Sequence, residues 1–355
     1  MSEQMTSLES PPPPASVVVD ELSSSLLHAA RPRPRTATAA MAVIRSALLD
    51  IVFVTSCGFE FGSRSVVPAW HPHRHRRARS LPFGSSGPRV DRWEGMHDHH
   101  GPVLRRVEID ADRIDPVWNP AAAEFVAAAN AVSLLMPAVE PYFAGSIRRA
   151  LPDLEPTLAG IARTFVRQEL EHQRQHRRFN GRLIERFPAL ARPEARSRRI
   201  YGWLSRTRSL RFSLAFAAAS ETIAYSLARW TSDHLAEFLR GADPAATDLF
   251  VWHLAEEVEH KSVAFDVWAA VDGSRWRYAR AGVLSIAVLA WLVLWSIALQ
   301  MHSEHRLRSP ATWWRTCRLL VSFAFEVVPN LLVSAMPGHH PDQFCDPDWY
   351  RHWLV

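Results

Sequence analysis

The chain has 355 residues, is 48% hydrophobic and carries a formal charge of +5, with a sequence pI near 9.5. That apolar share is ample for a buried core and excludes a chain that is disordered throughout. Every basic residue except Lys261 is arginine, and no helix-turn-helix, zinc-finger or RNA-binding signature accompanies the charge, so no nucleic-acid partner is expected.

Three cysteines, Cys57, Cys317 and Cys345, lie far apart and are odd in number. They argue against a disulfide framework and fit a reducing compartment. No Cys/His spacing suggests structural zinc.

Residues 1–100 read as a disordered Pro/Ser/Arg/His-rich extension. Pro11 to Pro14 are consecutive, Arg31 to Arg35 alternate with proline, and the tract His71-Pro72-His73-Arg74-His75-Arg76-Arg77 reads as a solvated basic linker. The apolar run Ala47 to Val54 is too short to span a bilayer and too far inside for an ordinary signal peptide. Met96 opens a stretch that reads like the start of a folded enzyme. The enzyme domain is therefore expected over 104–355, with a helical bundle at about 119–273 and apolar helices at about 277–336.

Within that domain Asn119-Pro120 is a good N-cap and first-turn pair, opening an Ala-rich helix through about Met136. Pro137 and Pro141 bracket Glu140, so the backbone is expected to kink or break there and restart toward Leu151. Glu155-Pro156 opens a second helix to about Arg186. A third covers roughly Leu210 to Leu239 and stops at Gly241. Asp243-Pro244 opens a fourth that ends near Gly273. No strand-period alternation, tandem repeat or Gly-rich phosphate loop is present in this region. The expected fold is all-α: a ferritin-like four-helix bundle with two additional apolar C-terminal helices.

Those last two helices are Ala281 to Leu299, which has no charged residue, and Leu319 to Met336, which carries Glu326 and Pro329. Nineteen uncharged residues lie at the threshold for a transmembrane helix. Trp291, Trp295, Trp313 and Trp314 are candidate interfacial anchors. Membrane association through 281–299 and 319–336 is expected, at the inner face of the cell membrane of a cytoplasmic protein; the alternative is a fifth and sixth helix buried against the bundle.

Two strings carry the chemistry: Glu169-Leu170-Glu171-His172 and Glu257-Val258-Glu259-His260. Each holds Glu-x-x-His, and three residues along a helix is about 300° of rotation, so the two side chains share a face one turn apart. Each pair is preceded by a helix offering a lone Glu. Glu221 stands in the otherwise apolar stretch Ala217 to Ala224, where a carboxylate is costly unless it is paired or metal-bound. Glu140 is the candidate on the first helix, with Glu124 as its rival.

Four carboxylates and two imidazoles in this order are the ligand set of a dinuclear site in a helical bundle. Oxygen and nitrogen donors without thiolate suit iron or manganese, so the expected cofactor is two divalent ions of Fe or Mn. The expected metal ligands are Glu140, Glu169, His172, Glu221, Glu257 and His260. His176, His253 and Asp266 are placed as extra ligands or as hydrogen-bond partners behind the ligands. Glu171 and Glu256 are the candidate catalytic carboxylates, free to move protons. The string His172-Gln173-Arg174-Gln175-His176 lacks a Glu after its first His, which excludes the zinc-protease motif.

Phe165 through His172 to His176 and Asn180, then Glu221-Thr222, then Trp252-His253 through His260-Lys261, resemble the bacterial family named "predicted metal-dependent hydrolase". The likeness runs from about Val107 to the C-terminus. Where that family usually has Pro-Gly-Glu, this chain reads Pro137-Ala138-Val139-Glu140. The resemblance implies a metal site and a catalytic role. Hydrolysis of a small hydrophobic or lipid-like substrate by metal-activated water is one reading. Dioxygen activation by a di-iron site is the second, and a non-enzymatic metal-binding membrane-associated protein is the third.

Overall fold

The computed structural model describes residues 101–350, apart from Arg106 and Asp348. The expectations for residues 1–100, including the basic tract and the apolar run Ala47 to Val54, lie outside the described residues. The described part is all-α, and no strand occurs among these residues.

The helices are α1 (Ala123–Ala150), α2 (Pro156–Arg186), α3 (Ala191–Thr207), α4 (Leu210–Phe238), α5 (Pro244–His260), α6 (Val263–Val271), α7 (Arg275–Ser303) and α8 (Pro310–Ser334). The sequence marks most of the starts. Glu155 accepts from the Thr157 amide, with Pro156 in the first turn of α2. Asp243 caps α5 through the Ala246 amide, again followed by proline. Ser209, Ser274 and Ser309 cap α4, α7 and α8 in the same way. Gly241 and Gly273, both at positive φ, close the turns after α4 and α6.

α1 packs along α2, and α4 packs against α5 and α6, while α1 also meets α4 and α2 meets α6. α7 and α8 both lie against α4, and α7 also meets α1. Among the apolar clusters that result, two are largest. One gathers Leu135, Phe143, Phe165, Phe216, Phe265 and Trp268; the other gathers Trp118, Phe125, Phe179, Leu183, Trp230 and Trp252. Along α2, α4 and α5–α6 the candidate metal residues fall between the parts of the helix that serve these two clusters.

Three expectations about the helices are corrected. First, α1 runs unbroken through Pro137 and Pro141. A proline in a helix interior leaves the carbonyl four residues earlier without its donor. Here the amide of Asn180 on α2 donates to the Ser133 carbonyl at 2.8 Å and supplies what Pro137 cannot. Second, the helix expected from Pro244 to Gly273 is interrupted at Lys261–Ser262 and forms α5 and α6. Third, α3 was not foreseen. Its buried positions are Pro193, Ser197, Tyr201 and Leu204 only, so its apolar stripe is thin and most of its sequence is arginine-rich surface.

Both apolar C-terminal helices form, each starting before its apolar run. Among the described residues, three stretches are long and apolar enough to cross a membrane: 120–153, 275–303 and 310–334. They differ in what covers them. The first has 72% of its most apolar window buried inside the protein, against 28% and 22% for the other two. The apolar sequence of α1 is thus explained by the core, whereas that of α7 and α8 is not.

The segment after α8 folds back over α4 and α7. The Tyr225 hydroxyl donates to the Cys345 carbonyl at 2.6 Å, Arg275 donates to the His339 carbonyl at 3.0 Å, and the buried Lys261 pairs with Asp346. Asp266, expected behind a metal-binding imidazole, instead faces His340 at 2.8 Å.

Removing the Asn180 amide strands the Ser133 carbonyl in a buried place. Asn180→Ala is expected to cost about 1–3 kcal/mol. Pro137→Ala restores a helical N–H for the same carbonyl, so the double variant should lose less than Asn180→Ala loses in the wild-type background. Chemical denaturation of the four proteins of this cycle checks the coupling; additive losses would show that the amide does not replace the missing donor.

Candidate metal centre

Three helices and the α5 terminus send their polar side chains to one place. Glu140 comes from α1, Glu169 and His172 from α2, Glu221 from α4, and Glu257 and His260 from the last turn of α5. All six are buried. One ligand atom each of Glu169, His172, Glu257 and His260 fall within 4.8 Å of one another, and so do those of Glu140, His172 and His253. The six residues expected as ligands are therefore brought together, and His253 joins them.

The contacts identify which atoms face the centre. His260 Nδ1 lies 2.9 Å from Glu169, 3.7 Å from Glu257 and 3.9 Å from Glu221. His172 Nδ1 lies 3.6 Å from Glu257 and 3.9 Å from Glu169. The outer nitrogens are held from behind. His172 Nε2 meets Glu256 at 3.0 Å, and His260 Nε2 meets the Gln168 side-chain oxygen at 3.1 Å. With the outer nitrogens engaged, both Nδ1 atoms are the ones that face inward. Trp252 packs edge-on against His172, with ring centroids 4.9 Å apart, and Phe165 lies against His260 at 4.6 Å.

The outer partners are themselves fixed. Arg105, in the segment before α1, clasps Glu259 with two bonds of 2.7 Å and approaches Glu256 at 3.5 Å. Gln168 donates to the Val103 carbonyl at 3.2 Å, which sets its amide so that its oxygen turns to His260. Neither Arg105 nor Gln168 was anticipated from the sequence. Gln168 directly precedes Glu169, and a buried amide beside a ligand motif is the signal that could have found it; Arg105 carried none.

Several candidates lie elsewhere. Glu171, expected as a proton carrier, faces outward, where Arg174 and Gln175 bond it. Glu256 is buried, but its oxygen is committed to His172. Glu124, the rival of Glu140, pairs with Arg306 and Arg315 away from the centre. His176 sits behind His253, their nitrogens 2.7 Å apart.

Among the described residues, Glu140 Oε1 and Oε2, Glu169 Oε1, Glu221 Oε2, Glu257 Oε2, His172 Nδ1 and His260 Nδ1 have no hydrogen-bond partner. Buried charged carboxylates without partners cost several kcal/mol each, and a metal ion held among them would offset that cost. Their spacing suits one: an octahedron with bonds of about 2.1 Å has edges of about 3 Å. The contacts of 2.9 to 3.9 Å around the two Nδ1 atoms start at that value and widen from it. Oxygen and imidazole donors without thiolate fit a hard or intermediate divalent ion.

The electrostatics show the same strain. Burial, and then the charges of Glu169 and Glu257, push Glu140 well above the usual carboxylate range. Burial and the same two neighbours push Glu221 up as strongly, and burial also raises Glu169. Burial works against Glu257 too, but its contacts with the imidazoles of His253 and His260 overcome it and hold this carboxyl well below its ordinary value. For His260, contacts with Glu169 and Glu257 outweigh the cost of burial and raise the imidazole well above its usual range. Burial, followed by neighbouring imidazoles, holds His176 well below that range.

The helical fold and this centre define the class: an all-α protein with a buried carboxylate–imidazole cluster able to hold metal. Within that class, the chain belongs to the family described as predicted metal-dependent hydrolase, which matches residues 103–344. No curated protein and no solved structure matches the chain.

The pH dependence of the metal-free protein follows from these shifts. Glu140, Glu169 and Glu221 keep protons in the folded state at pH values where the unfolded chain has lost them. Above the ordinary value of 4.5 the folded state therefore binds more protons, and stability falls as pH rises. His260 adds stability that is full below 6.5 and is lost as pH climbs through its raised value. Glu257 acts in the opposite sense, on the acid side. Buried His176 and His253, whose values are lowered, oppose this below about 6.5, so the melting temperature of metal-free protein is expected to fall between about pH 6.5 and about pH 8, and manganese should flatten that slope while releasing protons. A melting temperature that rises over this range would contradict the assignment.

Proposed function

We propose that this protein is a metal-dependent enzyme whose centre holds two divalent ions of iron or manganese, in a ferritin-like set of helices formed by α1, α2, α4 and α5–α6. The reading is carried by the seven inward atoms without hydrogen-bond partners, contributed by all of these helices. In it, Glu140, Glu169, His172, Glu221, Glu257 and His260 hold the metal. The family description supports hydrolysis as the reaction.

When bound, two such ions lower the pKa of a coordinated water and polarise a carbonyl oxygen. The chain's own contribution is positioning. Glu256 and Gln168 fix the rings of His172 and His260, Arg105 ties Glu256 and Glu259 to the segment before α1, and Trp252 and Phe165 keep bulk water from the ligands. One observation favours a second reading. A centre of four carboxylates and two Glu-x-x-His imidazoles also suits dioxygen activation by iron.

Elemental analysis of the purified full chain tests the first step. About two equivalents of iron or manganese are expected, with loss in both His172→Ala and Glu257→Ala. Folded protein that takes up no metal under metal-supplemented expression would end the metal reading. Oxygen uptake measured against ester hydrolysis on the loaded protein then separates the two chemistries.

The substrate class is read from α7 and α8. Val283, Trp291 and Leu294 on α7, and Val321, Phe325, Val328 and Leu332 on α8, are exposed. The α8 residues recur at helical spacing and form one stripe. α7 contains no acidic residue, and the one in α8, Glu326, pairs with Arg229 toward the protein. Arg280 stands exposed near the start of α7 and Arg308 in the turn between α7 and α8, and Trp313 and Trp314 lie at the start of α8. An apolar face with cationic ends and tryptophans fits the surface of an anionic bilayer, and a substrate that is hydrophobic or lipid-like.

Sedimentation with phosphatidylglycerol vesicles checks this. Wild-type chain should pellet, and Phe325→Asp should weaken binding roughly tenfold or more, since burying a Phe is worth about 1.5–3 kcal/mol before the added charge. Wild-type protein that stays wholly in the supernatant, without detergent, would remove the membrane from the proposal.

A further inference from the structure

The hydrogen bonds behind His253 determine which of its nitrogens carries the proton. The starting point is Asn180, whose Nδ2 donates to the Ser133 carbonyl, the carbonyl left without a helical donor by Pro137. That bond turns Asn180 Oδ1 toward the Ser133 hydroxyl, 2.9 Å away. An amide oxygen only accepts, so the one proton on Ser133 Oγ goes to Asn180. Ser133 Oγ must then accept from His176 Nδ1, at 2.7 Å.

The argument continues inward one ring at a time. His176 is fully buried and its two ring nitrogens face only the Ser133 hydroxyl and the His253 ring, with no carboxylate against them to hold a second proton; with the proton on Nδ1, its Nε2 is an acceptor. The atom facing it at 2.7 Å is His253 Nδ1, which must donate. His253 Nε2 is left as a bare lone pair. It points at Glu257 Oε1, 2.8 Å away, and at Glu140 Oε1, 3.5 Å away. Three acceptor atoms face one another in a buried place, an arrangement that a metal ion reconciles.

We propose that His253 Nε2 is a seventh ligand, grouped with Glu140 and His172, and that the two metal positions are chemically unequal. The inference rests on the two-ion reading above and goes beyond it. One position draws two imidazoles, His172 and His253, together with Glu140. The other draws Glu169, Glu257 and His260, with Glu221 beside it; His172 is common to both groups, so the second has the larger share of carboxylates. Imidazole-rich sites favour iron over manganese more strongly than carboxylate-rich ones do. The nitrogen-rich position is thus the one expected to select iron, and the carboxylate-rich position the one open to manganese.

Titration of the metal-free, full-length chain with Co²⁺ tests this, because the visible spectrum of cobalt reports its ligands independently of any activity. Wild type should bind two equivalents. His253→Ala should keep one binding step unchanged and weaken the other at least tenfold, with an altered spectrum for that step. Ser133→Ala touches no ligand but removes the hydroxyl that sets the ring protons; it should weaken the same step by a smaller factor. His172→Ala, by contrast, removes a ligand common to both readings.

If His253→Ala binds two cobalt ions with wild-type affinities and spectra, His253 is not a ligand and the inference is wrong, while the two-ion reading stands. If the wild-type chain itself binds no cobalt, both are overturned. Circular dichroism checks the fold of each variant, and His253→Gln is judged by the same criterion should the alanine variant not fold.

Discussion

Concentrating negative charge in a place without water is the constraint on which the rest of this structure depends. Four carboxylates converge where the surroundings are apolar on both sides, and among the described residues no arginine or lysine pairs with any of them. The nearest arginine, Arg105, stops one layer out, on Glu256 and Glu259. Ordinary folding would not assemble such a group, because each buried charge loses its hydration and gains only repulsion from the next. What the protein does instead is hold the framework rigid. Each inward ring is tied from behind, and the helices that carry the ligands are packed into aromatic clusters at both ends.

This division of labour accounts for what could be read from the sequence. The two Glu-x-x-His strings and the isolated Glu221 stood out because ionisable groups in apolar helices have few bland explanations. Helix starts were legible for the same kind of reason: Glu155-Pro156 and Asp243-Pro244 state their local chemistry outright. The layer behind the ligands was much less visible. Arg105 lies more than sixty residues before Glu169 and finds Glu259 only through the fold. Asp266 had a suitable spacing from His260, but the interruption at Lys261–Ser262 takes it out of register and toward His340. Pro137 misled in an instructive way, since its usual effect on a helix is cancelled by a side chain on another helix that no local pattern reveals.

Hydropathy alone treats α1, α7 and α8 alike, yet their roles diverge. α1 spends its apolar side chains on α2 and α4 and shows solvent little of them. α7 and α8 cover α4 with one side and leave the other open. Only three-dimensional packing separates these two uses of the same composition. It also explains why Glu326, which weakens the case for α8 as a purely apolar helix, is harmless there: it turns to Arg229 on α4.

The interruption between α5 and α6 has an electrostatic consequence of its own. Helix peptide dipoles align, and the carbonyl end of a helix carries about half a negative charge, felt mainly within its last turn. Because α5 ends at His260, that partial charge falls beside the residues that face the centre rather than at Val271, nearly three turns further on. The backbone itself therefore adds to the field that draws cations inward. It does so without a further ionisable side chain, and so without a group that a change of pH could switch off.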